Sequence, residues 1–141
     1  MPSNEEIIRE LYTAGEGPEM DTKKFVSMFS EEGYMLDVPS GTKFRGQAIR
    51  DSIAGLARAF PDVHREILDL YVTENVVVAE LAIRGTHKGE LALASGTIAP
   101  TGKVIDAPCC DIFTLEGGKV ISFHCYNYPS VMLQQLGVDV G

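Results

Sequence analysis

From Val104 to Leu115 and again from Lys119 to Tyr128 the chain is dense in β-branched and aromatic residues, and Glu116-Gly117-Gly118-Lys119 supplies turn residues between the two runs. This pattern predicts a long hairpin, entered through Pro100-Thr101-Gly102-Lys103, against which the remaining segments must pack. Its interior also holds residues that a purely structural strand pair would not need: Asp111, His124, Cys125, Tyr126 and Asn127. Polar and soft side chains in an apolar hairpin mark a candidate site.

The segments before the hairpin read as helices followed by strands. Ser3 with Glu6 forms a capping-box pattern, and Ile7, Ile8, Leu11 and Tyr12 recur at helical spacing, predicting a helix from about Asn4 to Thr13. Asp21 or Thr22 caps a second helix, with Phe25, Met28 and Phe29 on one face and Gly33 as its stop, followed by a short strand over Tyr34–Val38. After Gly46, the residues Ile49, Ile53, Leu56 and Phe60 define an amphipathic helix that Pro61-Asp62 terminates. Val63 to Thr73 and Val76 to His87 then read as a second antiparallel hairpin. Lys88–Ala99, interrupted by Gly89 and Gly96, fits a strand, a bulged edge or a loop, and Ser130–Leu136 closes the chain as a short helix. Helices first and consecutive strands after them specify an α+β domain.

Several functions are disfavoured by composition. At 141 residues the chain suits one domain with its own core, spanning 1–141. A formal charge of −8 offers no basic surface for nucleic acid or anionic membrane. The opening Met-Pro-Ser-Asn-Glu-Glu lacks a secretory pattern, and no apolar run approaches the roughly 20 residues of a span, so a soluble cytoplasmic protein is expected. Three cysteines, an odd number within strand patterns, argue against a disulfide framework. Cys109 and Cys110, being adjacent on a strand, point to opposite faces, and no second ligand pair stands at a recognisable spacing. With no glycine-rich phosphate loop either, no metal and no organic cofactor are expected.

Phe44-Arg45-Gly46-Gln47-Ala48-Ile49-Arg50, Ala59-Phe60-Pro61-Asp62, Gly85-Thr86-His87-Lys88-Gly89-Glu90, Pro100-Thr101-Gly102-Lys103, Gly118-Lys119-Val120 and Gln135-Leu136-Gly137, in this order and spacing, resemble the SnoaL-like polyketide cyclases of the nuclear-transport-factor-like fold. The resemblance implies a curved antiparallel sheet forming a cone-shaped half-barrel, with N-terminal helices on its concave side. It implies a homodimer through the outer sheet face and an intramolecular aldol closure performed by a pocket carboxylate without a cofactor. Aligned on the Gly118-Lys119 turn, the family's acid/base aspartate falls on Cys125 and its partner histidine on Asp111. A thiol is no simple replacement for that aspartate, because its unperturbed pKa lies near 8.5 and an apolar site raises it.

In the register of that family Asp111 and Phe113 face the pocket together with Phe123, Cys125 and Asn127, leaving His124, Tyr126 and Tyr128 outside. A slip of one residue would exchange the two sets. Asp111 is then the candidate catalytic base, its alternative role being that of a strand carboxylate satisfied by backbone or a cation. Tyr34, Phe113, Phe123, Cys125, Asn127 and His87 are the candidate substrate-binding residues, His87 having the alternative of a structural role that orients its loop, with Asp37 capping a turn. His64 reads as a solvated strand residue and His124 as a structural or interface residue. Two functions fit: a cyclase or isomerase acting on a polyketide-like or other polycyclic carbonyl compound, or a non-catalytic protein of the same fold that binds a hydrophobic small molecule.

Overall fold

The computed structural model describes residues 2–93 and 96–138. Helix α1 (Asn4–Ala14) begins with the capping box, the Ser3 hydroxyl accepting from the Glu6 N–H while the Glu6 carboxylate accepts from the Ser3 N–H. Its buried face carries Ile7, Ile8, Leu11 and Tyr12. Burying each of the three aliphatic side chains contributes roughly 1.5–3 kcal/mol, and this burial holds a helix too short to persist alone. Helix α2 (Thr22–Ser27) is capped by Asp21, and α3 (Gln47–Ala59) buries Ile49 and Ile53.

A curved, unclosed sheet of six strands receives these helices. Its order is β2 (Thr42–Phe44), β1 (Phe29–Asp37), β8 (Lys119–Asn127), β7 (Val104–Glu116), β4 (Val76–Thr86) and β3 (His64–Val72). The predicted central hairpin is β7–β8, and the second hairpin is β3–β4. The expectation of an antiparallel sheet holds for every pair but one, since β1 runs parallel to β8. Most of the chain separates those two strands, so no tight turn dictates their relative direction.

Three boundaries differ from the sequence reading. Phe29 opens a strand instead of continuing α2, and Gly33 lies inside that strand instead of stopping a helix. A Cβ at Gly33 would sit 2.6 Å from the Val120 carbonyl oxygen, so the glycine permits β1 and β8 to approach where their register shifts. Strand β2 was not foreseen; three residues are too few to show a period. The ambiguous Lys88–Ala99 stretch holds a separate two-stranded sheet, β5 (Leu91–Leu93) with β6 (Gly96–Ile98), and Ala94 and Ser95 within it lie outside the described residues. The last helix is α4 (Pro129–Gln135).

The main core lies between the sheet's concave face and α1, α2 and α3, while a second cluster of Ala59, Phe60, Val63, Leu91, Ile105 and Leu136 seals the end nearest α4. None of the helices among the described residues is long and apolar enough to cross a membrane.

Candidate active site

Strand pairing assembles the site in cross-strand rows. Ala79, Asp111, Cys125 and Asp37 stand side by side on β4, β7, β8 and β1. Val77, Phe113, Phe123 and Met35 form the row on one side, and Leu81, Cys109 and Asn127 the row on the other. Because paired residues share a face, the whole array points toward the helices. A cavity of about 490 Å³ opens above it, within the range usual for small-molecule sites. Asp111, Cys109, Cys125, Asn127, Asp37 and Phe123 line the sheet side of this cavity. Tyr12 and Arg65 reach it from α1 and β3.

Asp111 is 2% exposed. The Tyr12 hydroxyl donates to its Oδ2 at 2.7 Å, and the Cys109 thiol donates to its Oδ1 at 3.3 Å. Burial raises its pKa above the ordinary carboxylate value, against the opposing pull of the Tyr12, Cys109 and Cys125 donors and the Arg65 charge. The same enclosure raises Tyr12 well above an ordinary tyrosine, by burial first and then by the Asp111 charge, so its proton stays on the phenol. The Cys109 thiol is likewise pushed up, by its contact with Cys125, by burial and by Asp111. Arg65, 8% exposed, is fixed by Gly15 O and Glu16 Oε2, each 3.2 Å from Nη1.

Asn127 donates through Nδ2 to Asp37 Oδ1 at 2.6 Å and to Cys125 Sγ at 3.3 Å. Asp37 thus has two roles, since its Oδ2 also accepts from Ser40 Oγ at 2.5 Å in the turn that sequence had assigned to it. The Cys109 and Cys125 sulfurs are 3.9 Å apart, and one ligand-capable atom from each of Cys109, Asp111 and Cys125 lies within 4.8 Å of the others.

Three expected substrate contacts fall elsewhere. Tyr34 is one residue out of phase with the inward row of Met35 and Asp37, and on the opposite face its hydroxyl meets His124 Nε2 at 3.0 Å. Phe113 is fully buried behind the cavity wall, stacked on Phe123 at 4.3 Å and on the edge of Tyr12 at 5.8 Å. His87 is fully buried beside Phe60 in the second core, where Nδ1 accepts from the Thr101 N–H at 3.1 Å. That bond places the neutral ring's hydrogen on Nε2, which has no partner among the described residues. Tyr12 and Arg65 are the site residues that sequence reasoning missed. Helical period marked Tyr12 only as core, and nothing local distinguishes Arg65 from a surface strand cation.

An α+β cone whose concave face encloses a buried carboxylate defines a small-pocket protein of the ketosteroid-isomerase-like architecture. Residues 8–123 match the SnoaL-like domain, and the chain belongs to that family. Among solved structures it is similar to IdmH of Streptomyces antibioticus, assigned as a polyketide cyclase, at 19% identity and a TM-score of 0.80 over 97% of this chain and 100% of that one. A protein of Jannaschia sp. CCS1 assigned as a SnoaL-like polyketide cyclase superposes at a TM-score of 0.81, with 19% identity over 96% and 92% of the two chains. A protein of Catenulispora acidiphila with a ketosteroid-isomerase-like fold, in complex with trimethylamine, gives 0.78, with 21% identity over 95% and 94%. No curated protein matches the sequence. At these identities the likeness extends to the fold alone.

Proposed function

We propose that the protein is a cyclase or isomerase that removes a proton from carbon next to a carbonyl, with Asp111 as the base and a polyketide-like or other polycyclic carbonyl compound as substrate. The observation that carries this reading is the burial of Asp111 at the wall of the cavity, with its two oxygens oriented by Tyr12 and Cys109. A desolvated carboxylate is a stronger base than one in water, and its raised pKa brings it nearer the pH at which it must work. Family membership supports the reaction class. The Asn127 amide, on exchanging its long contact with Cys125 Sγ for substrate while keeping Asp37, is the proposed donor to the developing enolate oxygen. Cys125 and Phe123 shape the pocket around the substrate. The proposed assembly is a homodimer through the outer sheet face, where Ile112 and the half-exposed Tyr126 stand.

Asp111→Asn keeps the shape of the side chain and removes the base. Turnover of a carbonyl substrate should fall about a hundredfold or more with ligand affinity little changed, and Cys125→Ser should cost far less. Survival of turnover in Asp111→Asn together with its collapse in Cys125→Ser would assign the chemistry to the thiol instead. Tight binding of polycyclic ligands with no turnover at all would make the protein a carrier.

A further inference from the structure

Cys109, Asp111 and Cys125 are far apart or merely alternate in the sequence, yet they converge through the pairing of β7 and β8. Asp111 and Cys125 are direct cross-strand partners, and Cys109 precedes Asp111 by two residues on the same face. Around a tetrahedral zinc ion with Zn–S near 2.3 Å and Zn–O near 2.1 Å, two sulfur ligands lie about 3.8 Å apart and a sulfur–oxygen pair about 3.6 Å apart. Here the two sulfurs are 3.9 Å apart, and Cys109 Sγ is 3.3 Å from Asp111 Oδ1. The third edge, between Cys125 and Asp111, is within 4.8 Å, so two edges already fit the tetrahedron and the third needs to close by about 1 Å at most.

The surroundings match what such a centre requires. Tyr12 fixes the second oxygen of Asp111 at 2.7 Å, and the Asn127 amide donates to Cys125 Sγ at 3.3 Å, as outer partners do to ligating carboxylates and thiolates. Two thiolates and a carboxylate bring three negative charges against two on the metal. The buried Arg65, whose charge acts on Asp111 and is shared with Glu16, offsets part of the excess. The cavity that all three ligands line leaves a fourth position for water or a small molecule.

We propose that Cys109, Asp111 and Cys125 form a three-ligand site for a thiophilic divalent cation of the zinc type, opening into the cavity. Binding forms two metal–sulfur bonds and one metal–oxygen bond, and the two thiol protons leave to solvent. The metal takes Asp111 Oδ1, so where Asp111 serves as the proposed base, zinc inhibits the reaction reversibly. The site itself stands on ligand geometry and does not need that reading. Zinc binding without carbonyl turnover would retain the site and remove the base, and turnover without zinc binding would do the opposite.

The test titrates the full chain, with its thiols kept reduced, using cobalt(II) and then zinc(II). The expected result is one metal per chain, a thiolate-to-cobalt charge-transfer band with tetrahedral ligand-field absorption, and loss of both on adding zinc. Affinity for zinc, measured against a chromophoric chelator, should drop about a hundredfold or more in Cys109→Ser and in Cys125→Ser. It should be unchanged in Cys110→Ser, whose sulfur lies on the opposite face. In wild-type protein, zinc should also shield Cys125, the partly exposed ligand thiol, from a thiol reagent while Cys110 stays reactive, a readout that needs no variant to fold. Absence of the charge-transfer band, absence of thiol protection, or an affinity that depends on Cys110 and not on Cys109 and Cys125 would overturn the proposal.

Discussion

Tyr12→Phe deletes one hydroxyl and leaves the ring, with its edge-on packing against Phe113, in place. What disappears is a 2.7 Å hydrogen bond to a carboxyl group that is only 2% exposed. A bond to an ionised partner is worth about 1.5–3 kcal/mol and one to a neutral partner about 0.5–1.5 kcal/mol. The substitution should therefore destabilise the protein by about 1.5–3 kcal/mol where Asp111 is ionised and by about 0.5–1.5 kcal/mol where it is protonated. The difference, about 1–1.5 kcal/mol, equals a further rise of about one pH unit in the folded-state pKa.

The direction follows from linkage. Asp111 already titrates higher in the folded chain than in the unfolded one, so its favourable contribution is complete below the unfolded pKa and is lost as pH rises through the folded value. Tyr12→Phe extends that loss to higher pH. Urea unfolding of wild type and variant on both sides of the carboxyl titration measures the change directly, because titrations common to both cancel in the difference. The acid limb of kcat/KM should move up by about one pH unit in parallel. An equal penalty at both pH values and an unmoved limb would refute the assignment of Tyr12 as the donor that stabilises the ionised form.

Gly89→Ala should cost about 1–3 kcal/mol in denaturant unfolding, at the upper end of that range, because the new Cβ would lie 1.9 Å from the Arg58 carbonyl oxygen at the end of α3. His87→Ala should lower stability by about 2–4 kcal/mol through lost packing on Phe60 and lost tethering of Thr101, while KM for any substrate stays within about twofold. A large KM change at unaltered stability would return His87 to the pocket. Light scattering should give a dimer at micromolar concentration and a monomer for Tyr126→Lys; a wild-type monomer would remove the proposed interface.

The central hairpin was legible because its two runs alternate around a turn that only Gly117 and Gly118, both at positive φ, readily provide. That alternation, with the family register, placed Asp111, Phe123, Cys125 and Asn127 on one face, where the strand pairing has them. Tyr34 escaped because parity on β1 can be read only once its pairing with β8 is known. The phase of Met35 and Asp37 against Phe123 and Cys125 is a tertiary fact. Phe113 shows a different limit: period identifies the inward face but not whether a side chain reaches the cavity or is covered by a neighbour. Tyr12 meets Asp111 across 99 residues of sequence, and the three sulfur and oxygen ligands meet across two strands. No spacing rule along the chain encodes either arrangement.

The central claim is that Asp111 is a desolvated carboxyl held by Tyr12 at the wall of the cavity. Its titration in the folded, metal-free protein, followed by carboxyl ¹³C NMR and assigned through Asp111→Asn, tests this without knowledge of the substrate. The midpoint should lie above the reference of about 3.9 and rise by about one more unit in Tyr12→Phe. A midpoint at or below about 3.9, unmoved by Tyr12→Phe, would contradict the account.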